Sequence, residues 1–143
     1  GESGMLVELM TYWPGAVALS MDIRDVTPCT PYHSKRDFFT VEPGFFDVDL
    51  VITNPPYCAN KFAEFARHCI TQVRPGGQVA LLVPSGFMGT KRRRPFHRAF
   101  PGDLYWLPRR PSFTGTGNAG TEYIWWVHTD GQTESHNIFL DED

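Results

Sequence analysis

A chain of 143 residues carries one domain's worth of sequence, and its 41% hydrophobic and 14% aromatic residues supply a core, which excludes intrinsic disorder. The 13 Gly and 12 Pro exclude coiled coils and repeat arrays, and the longest apolar runs, such as residues 79–83, fall far short of the roughly 18 residues a membrane span needs. The net charge of −3 hides an asymmetry: residues 88–121 hold seven Lys/Arg against the single acid Asp103, a local balance of +6, while the rest stands at −9. A cationic patch on an acidic body predicts an anionic polymer as partner. Cys29, Cys58 and Cys69 form neither an even disulfide set nor a C-x-x-C pair, and the five histidines lack ligand spacing. Reduced thiols in a soluble cytoplasmic protein, with no metal site and no membrane association, are therefore expected.

In chain order, Met5, Leu6, Leu9 and Met10 mark one face of a short helix over 5–12, which Pro14-Gly15 stops. Residues 16–21 form a compact apolar run ending at Asp22, and residues 49–53 form another ending at Asn54; both predict buried strands. From Ala59 to Val73, Phe62, Phe65, Ala66, Cys69, Ile70 and Val73 recur at helical spacing, and Pro75-Gly76-Gly77 closes the segment. Residues 78–83 predict a third strand, and residues 91–100 a basic helical stretch broken at Pro95. Residues 103–107 and 122–129 are the last strand candidates. This alternation predicts an α/β fold with a mainly parallel sheet covered on both faces, formed by residues 1–143 as a single domain. Ligands of such sheets lie beyond the carboxyl ends of the strands, which directs attention to Asp22, to residues 54–57 and to residues 84–87.

Asn54-Pro55-Pro56-Tyr57 is the most informative tetrapeptide. Two consecutive prolines fix φ and force the preceding residues into extended backbone, giving a stiff corner with two N–H donors removed. The Asn54 side-chain carbonyl and the Pro55 backbone carbonyl can together accept both hydrogens of an amino group and aim its lone pair at an electrophile. Tyr57 offers a flat face to a planar ring. Among the other aromatic pairs, Trp125-Trp126 and Phe45-Phe46 read as core.

The run from Asp49 through Thr53 into Asn54-Pro55-Pro56-Tyr57 resembles the catalytic motif of the S-adenosylmethionine-dependent amino-methyltransferases, above all the adenine-N6 DNA methyltransferases. Gly1-Glu2-Ser3-Gly4 leading into a helix resembles the end of that family's Gly-rich cofactor loop. Asp22, followed by Ile23, resembles the acid that binds the ribose hydroxyls, and Asp37-Phe38 the pair that contacts the cofactor adenine. Arg109 to Gly115, with Glu122-Tyr123, is reminiscent of compact phage-type members. The resemblance implies a Rossmann-like methyltransferase fold, its seven strands ordered 3-2-1-4-5-7-6 with the seventh antiparallel. It further implies S-adenosylmethionine as cofactor, with Asn54 also beside it, and direct methyl transfer by Asn54, Pro55, Pro56 and Tyr57 to a flipped-out adenine stacked on Tyr57. Lys91, Arg92, Arg93, Arg94, Arg98, Arg109 and Arg110 would then grip DNA phosphates.

The family's first strand precedes its Gly-rich loop, and no counterpart precedes Gly1. The expectation is a sheet lacking its first strand, in an N-terminally truncated chain, or in one that self-associates or reorders an element to fill the gap. The same four residues also serve RNA adenine and protein glutamine methylation, and a catalytically silent fragment that only binds nucleic acid is a further alternative.

Overall fold

Apolar spacing and proline punctuation set the elements of the computed structural model, which describes residues 4–28, 30–57, 61–109 and 120–141. Two units arise, Gly1–Glu42 and Pro43–Asp143, and each is taken by itself.

In the first unit, helix α1 (Gly4–Tyr12) ends where the Trp13 amide donates to the Leu9 carbonyl at 2.9 Å, just before Pro14. Strands β1 (Ser20–Asp22) and β2 (His33–Lys35) pair in parallel, Ser20 opposite His33 and Asp22 opposite Lys35. The strand expected over residues 16–21 is thus confined to its end, because β2 supplies only three rungs. A 3-10 turn over Phe38–Thr40 follows, capped by Asp37, whose Oδ1 accepts the Phe39 amide at 3.0 Å.

The second unit holds β3 (Val48–Thr53), α2 (Phe62–Ile70), β4 (Val73–Pro84) and α3 (Ser85–Met88). A 3-10 turn over Lys91–Arg93 leads into α4 (Arg94–Ala99), followed by β5 (Asp103–Trp106), β6 (Tyr123–Thr129) and β7 (Asn137–Phe139). The sheet order is β3-β4-β6-β5-β7. Only β6 runs against the others, being antiparallel to both β4 and β5, while β3 pairs in parallel with β4 and β7 with β5. The run β3-β4-β6-β5 therefore reproduces the 4-5-7-6 half of the expected order, and the β1-β2 pair its 2-3 pairing. The short β7 extends the sheet beyond the elements that the periodicity predicts.

Strand β4 is the axis of this unit. Val79, Leu81 and Val83 are wholly buried, and Ala80 and Leu82 nearly so, which is why the segment reads as an unbroken apolar run rather than an alternation. The strand begins earlier than residue 78 because its ladder with β3 shifts register between Val48/Val73 and Leu50/Gln78. That irregularity needs Gly76, at φ +76°, and Gly77, whose added Cβ would stand 2.9 Å from the Arg74 carbonyl oxygen.

Helix α2 buries Phe62, Ala66 and Cys69, one stripe at i, i+4 and i+7. Phe96 of α4 meets Phe62 at 5.6 Å and Trp126 of β6 at 5.4 Å between ring centroids, so α2, α4 and β6 share one aromatic core. Trp126 is core as expected, but Phe45 is 66% exposed and is not. Among the described residues, no helix is long and apolar enough to cross a membrane.

Candidate active site

Because β3 and β4 run in parallel, Thr53 opposite Leu81, the chain leaves both strands at the same rim of the sheet. Strand β6 begins at that rim, since Tyr123 pairs with Pro84, and β5 finishes there with Trp106 opposite Ile124. Residues 54–57, residues 84–87, Tyr123 and the residues after Trp106 are gathered at one edge, the carboxyl end where open α/β sheets hold ligands.

Asn54 is exposed, Pro55 is buried, Pro56 is exposed and Tyr57 is half-buried. The Tyr57 hydroxyl shares its proton between the Asn54 Oδ1 and the Leu82 carbonyl, the latter at 2.9 Å and one residue past the last β3–β4 rung. The Tyr57 ring packs at 6.3 Å and 66° to Phe87 and at 6.1 Å and 55° to Tyr123. Burial pushes the phenol pKa well above its usual 10, with Tyr123 adding to the shift, so Tyr57 stays a neutral donor. A carboxamide oxygen has two lone pairs, and one remains after Tyr57 has bound. Tyr57 is thus tied back into the sheet and orients Asn54, where the sequence alone predicts a free stacking face. A cleft of about 180 Å³, lined by Leu107, Pro108, Arg109, Glu122 and Tyr123, adjoins this corner through Tyr123.

The basic segment divides. Lys91, Arg92, Arg94 and Arg98 are exposed, as is Arg109 beside the cleft. Arg93 departs from the expected phosphate grip: it is 8% exposed, its Nη1 donates to the Phe87 carbonyl at 3.1 Å and to Thr90 Oγ1 at 3.2 Å, and its guanidinium covers the Phe87 ring. Arg110 lies outside the described residues.

In the first unit, Asp22 ends β1 and accepts three hydrogen bonds from Arg24: its amide at 2.9 Å, Nε at 3.0 Å and Nη2 at 2.7 Å. The Arg24 side-chain bonds lower the Asp22 pKa from 3.8 to about 2. Ile23 is exposed, Asp37 caps its turn, and Phe38 is half-buried in that turn. Gly4 opens α1, whereas Gly1 and Glu2 lie outside the described residues. Nothing in the residue types of Phe87, Thr90 or Leu82 marks them as parts of the site. Position alone points to Phe87, which closes the segment following a strand.

Comparison by sequence finds no matching family and no matching curated protein. Comparison by structure finds a Listeria monocytogenes protein (lmo1582) assigned to the class I S-adenosylmethionine-dependent methyltransferases, with TM-score 0.58 and 15% identity over 92% of this chain. The chain has the Rossmann-like methyltransferase fold. It also matches a predicted O-methyltransferase, Atu636 of Agrobacterium tumefaciens, with TM-score 0.43 and 17% identity over 64% of this chain. The matched region spans 52% of the Listeria protein and 39% of the Agrobacterium protein.

Proposed function

We propose that this chain transfers the methyl group of S-adenosylmethionine to the exocyclic amino group of adenine in DNA. The observation that carries the reading is the exposed Asn54 carboxamide at the carboxyl rim of a methyltransferase sheet, its oxygen oriented by Tyr57 with one lone pair to spare. An adenine amine is a poor nucleophile because its lone pair is conjugated with the ring. Acceptors at Asn54 Oδ1 and the Pro55 carbonyl favour its pyramidal form and offset the positive charge that grows on nitrogen. The prolines keep both acceptors fixed, so little reorganisation is needed as the charge develops.

The cofactor, when bound, supplies an electrophilic methyl group on a positively charged sulfur. The residues fit such a group: Arg24 takes three of the roughly four lone-pair sites of the Asp22 carboxylate, and the one left on Oδ2 suits a ribose hydroxyl, while the exposed Ile23 is an apolar surface beside it. Gly4, Asp37 and Phe38 complete the first unit's set in this reading. Exposed Lys91, Arg92, Arg94 and Arg98, with Arg109, favour a polyanionic acceptor over a protein side chain.

The test is radiolabelled methyl transfer by the full chain to separate DNA, RNA and protein pools, with cofactor affinity measured by calorimetry. Asn54→Ala is expected to lower transfer about 100-fold or more while sparing cofactor affinity. Turnover retained by that variant refutes the site, labelling of RNA or protein alone refutes the acceptor, and absence of cofactor binding refutes the enzyme.

A further inference from the structure

The four consecutive cations Lys91 to Arg94 are chemically alike in sequence, yet the fold treats one of them differently. Arg93 turns inward while its neighbours face solvent. Its guanidinium carbon lies 2.9 Å from the Phe87 ring centroid and 5.9 Å from that of Phe62, and its Nη1 holds the Phe87 carbonyl and Thr90 Oγ1. Among the described residues no carboxylate pairs with it, and burial, with Arg92 adding to the effect, lowers its pKa. A guanidinium kept in such a place without a counter-ion is costly, and an apolar side chain of similar volume would serve packing as well or better. What the charge adds is a directional hold on Phe87, through both its carbonyl and its ring face.

Phe87 leads to the candidate active site. Its ring meets Phe62 edge-on at 4.8 Å and Tyr57 at 6.3 Å, and Tyr57 binds Asn54 Oδ1. We infer that Arg93 is a positioning residue for the methyl-transfer corner, fixing Phe87 so that Tyr57 aims the Asn54 carboxamide. This rests on the reading of Asn54 as the acceptor of the substrate amine. Arg93 touches none of the reacting atoms; it acts through two rings and one hydroxyl. The basic run thus has two jobs, three of its cations facing outward and the fourth bracing the corner from behind.

The experiment compares the full chain with Arg93→Met, Arg93→Lys and Arg74→Met, the last removing an exposed charge at the other end of β4. Three readouts are used: kcat against KM for transfer, the thermal midpoint, and the nitrogen-15 NMR resonances of the Asn54 carboxamide. Arg93→Met is expected to lower kcat about 10- to 100-fold, as small misplacements of reacting groups do. The cofactor KM and the thermal midpoint should stay near those of the parent, and the Asn54 resonance should shift or broaden. Arg93→Lys, which keeps a cation over the ring, should recover part of kcat, and Arg74→Met should change neither kcat nor the resonance.

An Arg93→Met variant with kcat within twofold of the parent and an unmoved Asn54 resonance overturns the inference. So does a kcat loss that merely tracks a lowered thermal midpoint. Should Arg93→Met fail to fold, Phe87→Leu carries the test, because it removes the ring that the guanidinium covers; unchanged kcat and resonance there overturn the inference equally. A parent chain that transfers no methyl group refutes the transfer reading separately, while the Asn54 resonance still reports whether Arg93 holds the corner.

Discussion

Replacing Tyr57 by Phe removes one oxygen and leaves the ring, which separates two roles that the sequence motif confounds. If Tyr57 acts only as a stacking surface, Phe serves as well. The structure instead ties its hydroxyl to Asn54 Oδ1 and the Leu82 carbonyl. Loss of a neutral hydrogen bond costs about 1 kcal/mol, and the Leu82 carbonyl, one residue beyond the β3–β4 ladder, loses the hydroxyl that it binds. For a chain of this size that corresponds to a fall of roughly 4 °C in thermal midpoint. The Asn54 carboxamide loses its orienting partner as well, and about 1.4 kcal/mol of lost positioning in the transition state is about tenfold in kcat. Thermal unfolding and single-turnover methyl transfer measure the two effects in one pair of proteins. An unchanged midpoint together with unchanged kcat would refute the role of the Tyr57 hydroxyl as the tie between Asn54 and the sheet. Since the folded phenol pKa is raised, this group's contribution is present in full below the unfolded value of 10 and is lost as pH rises above it. The difference between the parent and Tyr57→Phe should therefore be constant from about pH 6 to 9, and a difference that titrates within that window contradicts a neutral donor.

Further outcomes follow from the same contacts. Asp22, with its pKa lowered to about 2 by Arg24, contributes stability that is present above its ordinary value of 3.8 and lost as pH falls toward 2. Arg24→Ala should return the carboxyl to the ordinary range in an NMR titration, and no movement would mean that another group holds it. Gly102→Ala places a Cβ onto the Trp126 indole and should destabilise the chain by about 1–3 kcal/mol in urea unfolding; a neutral result would show the core more yielding than its packing implies. Neutralising the exposed Arg94 and Arg98 together should weaken DNA binding and flatten its salt dependence by about 2 in the log–log slope. An unchanged slope would place the phosphate contacts elsewhere.

Local restraint is what the sequence could settle by itself. The corner at residues 54–57 could be anticipated because proline acts on its own φ and on its neighbour's backbone, whatever surrounds it. Helix α2 was visible because Phe62, Ala66 and Cys69 recur on one face, and the centre of β4 because a strand between two partners needs apolar residues throughout. The fold class followed from the alternation of such segments. Partnership is what only the tertiary structure decided. The length of β1 depends on the three rungs that β2 offers, and β7 exists because β5 has an edge to pair with, neither of which any periodicity records. The division of labour among Lys91 to Arg94 was equally hidden, since four cations in a row carry the same charge and differ only in the direction each Cα–Cβ bond takes as the 3-10 turn passes into α4. Tyr57 likewise stands beside Asn54 in the chain, but the carbonyl that anchors it belongs to Leu82, 25 residues away, and only the pairing of β3 with β4 brings that acceptor within reach.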